Sequence, residues 1–208
     1  MFDLSPADLR GRILGCGDGP ASFNAEATRR GGRITSCDPI YRCSVDEIQR
    51  RIADTFDTII EQTERNAGQF VWTSIQSVDE LARARMAAMS DFLDDLAAGR
   101  AEGRYLDAEL PSLPFPDRSF DLALSSHFLF LYTQQLGKEF HLAAVREMCR
   151  VAAEVRIFPL LALDGQPSGL VADVMKDARR AGLRASIEPV AYEFQRRAAE
   201  TMRIAVDL

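Results

Sequence analysis

The chain has 208 residues, with 25 basic and 31 acidic side chains for a formal net charge of −6. That length suits one domain, or one domain with an inserted subdomain. The acidic balance, with no long basic run, argues against nucleic acid as a partner, because binding phosphates needs clustered Lys and Arg.

No apolar run approaches the ~20 residues of a membrane span. The start, Met1-Phe2-Asp3-Leu4-Ser5-Pro6, lacks the basic flank and apolar stretch of a secretory signal. The expected setting is therefore the cytoplasm, with no membrane partner. Cys16, Cys37, Cys43 and Cys149 show no C-x-x-C spacing, and His127 and His141 are the two histidines. These numbers argue against a disulfide framework or a zinc site, and no metal is expected.

Short strand-like and longer helix-like stretches alternate along the chain. Arg12-Ile13-Leu14 is apolar and stops at glycines; residues 20–30 read as a helix, with Pro20 in its first turn and Gly31-Gly32 at its end. A strand over 33–37 closes at Asp38-Pro39. Ser44 and Glu47 have capping-box spacing for a helix over 45–66, whose apolar residues recur at helical intervals. After a connector carrying Trp72, Ser77 and Glu80 suggest a second capped helix ending near Ala98, before Gly99.

A short strand is expected at 104–106 and a proline-stiffened loop at 110–117. The clearest buried strand follows at 119–126. A helix over 138–151, a strand over 154–159, a helix over 168–181 and two strands over 184–190 and 201–206 complete the pattern. The order implies a parallel sheet covered on both faces. The ten-residue link between the last two strands favours an antiparallel pair at one edge.

A strand, a glycine loop and a helix let a ligand approach backbone N–H groups. Here the run is Gly15-Cys16-Gly17-Asp18-Gly19. A dinucleotide fingerprint would need glycine at position 20, which holds Pro20. Asp38 ends the second strand, where an acid accepts hydrogen bonds from ribose hydroxyls; Asp38-Pro39 also suits a plain turn.

These residues, with two later stretches, carry a family resemblance. Ile13-Leu14-Gly15-Cys16-Gly17-Asp18-Gly19 resembles motif I of class I S-adenosylmethionine-dependent methyltransferases. Leu113-Pro114-Phe115-Pro116-Asp117-Arg118-Ser119-Phe120-Asp121-Leu122-Ala123 resembles the stretch before their fourth strand, and Glu147-Met148-Cys149-Arg150-Val151 the end of their next helix. The matches fall in order and span most of the chain outside 44–103.

The resemblance implies an α/β, Rossmann-like fold of the type 11-like kind. Its seven-stranded mixed sheet has order 3-2-1-4-5-7-6, with strand 7 antiparallel and helices on both faces. It implies S-adenosylmethionine as cofactor. Gly15, Cys16, Gly17, Asp18 and Gly19 would line its methionine and ribose portion, Asp38 would hold the ribose, and Pro39 or Ile40 would flank the adenine. Glu109 would be the acid after strand 3, with Asp107 as the other candidate and Leu110 beside the adenine. Ser125, Ser126 and His127 would face the sulfonium and the acceptor. One position departs from the pattern: Ile13 stands where the family usually has an acid that positions the cofactor.

Methyl transfer from a sulfonium needs alignment and exclusion of water, and an oxygen nucleophile gains from a base. His127 is the catalytic candidate for that base, against a packing role at the strand end. Tyr132 is the candidate for a polar contact, and His141 is read as structural or rim-lining.

Residues 44–103 are expected to be a helical insertion within a single 1–208 domain. They would form either static packing or a lid using Phe56, Phe70, Trp72, Met86 or Met89. The expected activity is methylation of a small-molecule acceptor. The alternatives are a non-catalytic S-adenosylmethionine- or S-adenosylhomocysteine-binding regulatory module and, more distantly, a nicotinamide oxidoreductase. The acceptor and any homo-oligomer are left open.

Overall fold

A computed structural model describes residues 1–205. Seven strands form one sheet: β1 (Arg12–Cys16), β2 (Arg33–Cys37), β3 (Tyr105–Leu106), β4 (Phe120–Ser126), β5 (Ala152–Phe158), β6 (Arg184–Pro189) and β7 (Glu200–Ala205). Their order is β3-β2-β1-β4-β5-β7-β6. β7 runs antiparallel to both β5 and β6, and the other pairings are parallel. This is the expected order and the expected antiparallel edge pair. Val206, placed at the end of the last expected strand, lies outside the described residues.

The period-2 alternation of β4 divides the core. Ala123 points into the larger layer, with Leu14, Val155 and Ile157 of the sheet. That layer includes Ala144, Val145 and Met148 of α4 (Thr133–Val151) and Val174 and Ala178 of α5 (Val171–Arg180). Leu122 and Leu124 point the other way, with Ile13 and Ile34. Phe23 and Ala27 of α1 (Phe23–Arg29), together with Phe2 and Leu4, cover that side. Arg156 of β5 fixes the N-terminal segment, donating to the Phe2 carbonyl at 2.8 Å and pairing with Asp8 at 3.2 Å.

Between β2 and β3 the chain forms α2 (Val45–Arg65) and α3 (Val78–Ala101). Ser44 and Glu47 cap each other's backbone reciprocally, and the Ser77 side chain accepts from the Glu80 N–H. At the base of this hairpin Ile48, Ile52, Phe92 and Leu96 pack with Tyr41 and Tyr105. At its far end Phe70 bridges to Gln195. The Val71 N–H donates to the Phe194 carbonyl at 2.7 Å, and the Arg196 N–H to the Gln69 carbonyl at 2.8 Å.

The hairpin begins beyond β2 and ends on the β6–β7 loop, and both lie at the carboxyl edge of the parallel strands. Four strand steps from β2 to β7 span roughly 19 Å, and α2 with 21 residues reaches roughly 30 Å. The hairpin is thus long enough to cross above the carboxyl ends of β1, β4 and β5.

Three local expectations change. Pro20 precedes α1 rather than opening it. Gly99 lies inside α3, where a Cβ would come within 2.4 Å of the Tyr105 ring. α4 starts at Thr133 and breaks at Gly137, whose φ is 68°, so its regular part begins where the sequence places it. No helix among the described residues is long and apolar enough to cross a membrane.

Candidate active site at the carboxyl edge

β1 delivers the glycine run to the carboxyl edge, and the first two glycines serve the loop itself. A Cβ on Gly15 would lie 1.8 Å from an Asp18 carboxylate oxygen. On Gly17, at φ +70°, it would lie 2.7 Å from the Phe128 ring. Neither position admits another residue without displacing its neighbour. Gly19 has nothing within 4 Å on that side, so it is where the loop faces open space.

The Asp18 carboxylate turns beneath the loop and accepts from Ser36 Oγ at 2.6 Å. Ser36 in turn accepts from Asn24 at 3.1 Å, and Arg104 donates to Asn24 at 2.9 Å. Burial pushes the Asp18 carboxyl up to about 6; the Ser36 bond opposes this and the Asp38 charge adds to it. Cys16 likewise points into the core, where burial raises its thiol well above the usual range. Cys16 can offer a ligand only its backbone.

Asp38 follows β2 and caps the turn after it, as the plain-turn alternative expects. One carboxylate oxygen accepts the Gly19 N–H at 2.9 Å, and the other accepts the Ile40 N–H at 2.8 Å. These bonds tie the glycine loop to the 3-10 turn Pro39–Arg42. Burial raises Asp38, the two N–H donors lower it, and the Glu109 charge raises it again. Glu109 is exposed and within electrostatic reach of Asp38, whereas Leu110 is buried in the main core. Pro39 is half-buried, and Ile40 packs against the base of the hairpin.

Tyr41, which the sequence reading passed over, donates its hydroxyl to the Gly19 carbonyl at 2.8 Å and is itself almost fully buried. The available signal was its place three residues after the acid, on the turn the acid caps.

At the end of β4, Ser125 is fully buried and its Oγ has no hydrogen-bond partner among the described residues. Ser126 Oγ lies 2.9 Å from His127 Nδ1 and donates toward Met1 Sδ at 3.4 Å. His127 has φ +53°, an uncommon value for a non-glycine residue. The Phe158 carbonyl holds its N–H at 2.7 Å. Burial, and then the charge of Arg85, lower the imidazole's pKa.

Tyr132 makes a tilted ring contact with Phe128 and is 38% exposed. His141 is fully buried, its ring nitrogens 2.5 Å from the Gly137 carbonyl and 2.8 Å from that of Leu129. Of its two readings, the structural one is correct.

The two later motifs meet each other. Arg150 forms a bidentate pair with Glu147 at 2.7 and 2.8 Å. It also donates to the Phe115 and Leu113 carbonyls and to Asp117, and Glu147 accepts the Leu113 N–H at 2.7 Å. This clamp holds the proline loop that follows Glu109 and leads into β4. Two surface hollows of about 450 and 510 Å³ lie elsewhere, over α5 and at the β6–β7 edge. The loop ends, rather than those hollows, gather the chemistry-bearing groups.

Over 198 residues the chain is 33% identical to the uncharacterized protein MJ0045 of Methanocaldococcus jannaschii, covering 94% of this chain and 86% of that one. The chain belongs to the family of that protein. No family model matches it.

Among solved structures, mitomycin 7-O-methyltransferase superposes with a TM-score of 0.52 at 12% identity, covering 98% of this chain and 51% of that one. Magnesium protoporphyrin IX methyltransferase from Synechocystis PCC 6803, with bound SAM, gives 0.49 at 11% identity, with 97% and 73% covered. The strand order, with the likeness to mitomycin 7-O-methyltransferase, gives this family member the fold of class I S-adenosylmethionine-dependent methyltransferases.

Proposed function

We propose that the protein transfers a methyl group from S-adenosylmethionine to a small-molecule acceptor at this edge. The observation that carries the reading is an acid-ringed glycine loop. Asp38 holds the Gly19 N–H, while Glu109 and Asp18 both lie within electrostatic reach of Asp38. Carboxylates there suit a ligand that brings hydroxyl donors and a positive sulfur. The pyrophosphate of a dinucleotide would meet like charge.

The residues fit the group. Asp38 retains lone pairs for ribose hydroxyls, Gly19 leaves the approach open, and the orphaned Ser125 hydroxyl is a buried polar atom in want of a partner. When bound, S-adenosylmethionine supplies an activated methyl whose sulfur leaves without needing an acid. The chain's remaining tasks are to align the acceptor and accept its proton. A lowered pKa favours the neutral imidazole of His127, the form that can take that proton. Tyr132 would contribute a polar contact at the rim.

Calorimetry with S-adenosylmethionine, S-adenosylhomocysteine and NAD tests the reading: the first two should bind and NAD should not. Binding of NAD alone would sink it. Ile13 favours a second reading, a non-catalytic binding module, because the usual acid is replaced by a fully buried core side chain. Donor binding with no methyl consumption across a broad acceptor panel would favour that module.

A further inference from the structure

Gly19 is the glycine of the run that faces open space, and elements outside the loop hold both of its backbone polar groups. Its N–H donates to Asp38 at 2.9 Å. Its carbonyl accepts the Ala21 N–H at 3.0 Å, a contact local to the turn, and the Tyr41 hydroxyl at 2.8 Å. Tyr41 is 4% exposed, and a buried tyrosine hydroxyl needs a partner. Burial, and then the charges of Asp18 and Asp38, raise its pKa, so the hydroxyl remains a donor.

The base of the hairpin in turn holds Tyr41. Its ring lies 5.8 Å from that of Phe92 on α3 and 5.2 Å, edge-on, from that of Tyr105 on β3. Phe92 and Tyr105 meet edge-on at 5.5 Å, and the Tyr105 hydroxyl donates to Asp95 of α3 at 2.9 Å. Arg100, near the end of α3, donates to the Tyr41 and Cys43 carbonyls. A ring packed this closely has little freedom, so its hydroxyl is delivered to one point.

We propose that Tyr41 is a positioning residue of the donor site, through which α3 sets the Gly19 peptide and, by way of its N–H, the Asp38 carboxylate. That this is a donor site rests on the methyl-transfer reading. The plainer account is a core tyrosine whose hydroxyl takes the nearest acceptor. Two observations weigh against it. The bond goes to the glycine of the run whose side-chain face is open, and the same residue holds the acid that follows β2. Displacing Gly19 therefore displaces Asp38 as well.

The base of the insertion thus belongs to the donor site instead of lying beside it. A second route to α3 runs from Asp18 through Ser36, Asn24 and Arg104 to Asp95. It reaches the loop from beneath, and substitutions at 41 and 92 leave its members in place.

The test uses the full chain, four variants and two readouts. S-adenosylhomocysteine affinity is read by calorimetry, and exchange of the Gly19 amide in the unliganded protein by NMR. Tyr41→Phe keeps the ring and removes the hydroxyl. It should weaken S-adenosylhomocysteine about three- to tenfold, the range of one neutral hydrogen bond. Gly19 exchange should quicken several-fold while the Leu14 amide of β1 keeps its protection. Phe92→Leu loosens the seat of the ring and should weaken binding in the same direction.

The double variant separates positioning from packing. If Phe92 acts through the Tyr41 hydroxyl, Phe92→Leu should cost no further affinity on the Tyr41→Phe background, whereas independent effects would add. Val174→Ala, on the buried face of α5, lowers stability away from the loop and should leave both readouts unchanged. With S-adenosylhomocysteine bound by the wild type, unchanged affinity or unchanged Gly19 exchange in Tyr41→Phe would overturn the proposal. Additive losses in the double variant, or an equal loss in Val174→Ala, would overturn it too. No binding by the wild type would count against the methyl-transfer reading alone, and Gly19 exchange would then decide for or against Tyr41 by itself.

Discussion

The carboxyl of Asp18, turned beneath the glycine loop, sets a measurable pH dependence. Its folded pKa of about 6 lies above the ordinary 3.8, so folding favours the protonated form. Its contribution is fully present below the unfolded value and is lost as pH rises through about 6. Asp18→Asn keeps the shape and removes the charge. The variant should match the wild type at pH 3.5–4 and exceed it at pH 8 by on the order of 3 kcal/mol, at ~1.4 kcal/mol per tenfold. Urea titrations of both proteins across that range check the difference; a constant gap at every pH would refute it.

Asp38 makes a second residue-scale case. Asp38→Ala should cost roughly 1.5–3 kcal/mol of donor binding, about ten- to 150-fold, from lost charged hydrogen bonds. An unchanged dissociation constant in calorimetry would show that another group holds the ribose. Asp38 was legible because it ends a strand at a fixed distance from the glycines. The inward turn of Asp18 was not, because it depends on Ser36, a neighbour on β2.

Among the elements, helix starts were legible where chemistry is local. Ser44 and Glu47 satisfy each other's backbone within one turn, and Ser77 caps the next helix in the same way. The end of α3 was not legible, because Gly99 looks like a stop signal and is instead a packing requirement. Arg104 and Tyr105 lie against the Gly99 face, and Tyr105 Oη donates to Asp95 of the same helix at 2.9 Å.

This sets two effects in competition. Gly99→Ala gains about 1 kcal/mol of helix propensity but places a methyl 2.4 Å from a ring atom. Overpacking of a filled core costs about 1–3 kcal/mol, and the Tyr105 ring is wedged between Tyr41 and Phe92. The clash should win, and the urea midpoint should fall. A raised midpoint would mean that the ring moves aside freely.

Across the whole molecule, strand order and the glycine loop were readable because both rest on short-range pattern and on the motif match. The roof was not, because residues 44–103 meet the β6–β7 loop through contacts more than a hundred residues apart. Those contacts centre on Phe194, whose ring stacks on Phe70 at 5.0 Å and meets Trp72 edge-on at 5.5 Å. At roughly 0.5–1.5 kcal/mol per aromatic pair, the cluster adds to the backbone bonds that hold the hairpin tip on this loop.

Trp72 is the chain's one tryptophan, so its emission reports this contact without labelling. Phe194→Ala removes both ring contacts and leaves the sheet intact. Trp72 emission should shift to the red and become more accessible to acrylamide. The Val71 and Arg196 amides, which bridge the two loops, should exchange about tenfold faster or more, as expected of a locally opened segment. Amides of β4 should keep their wild-type protection. If the tip amides and the emission stay unchanged while β4 loosens, Phe194 supports the global core and the roof is static packing. If the tip alone opens, 44–103 works as a lid whose release admits and frees ligands at the His127 end of the sheet.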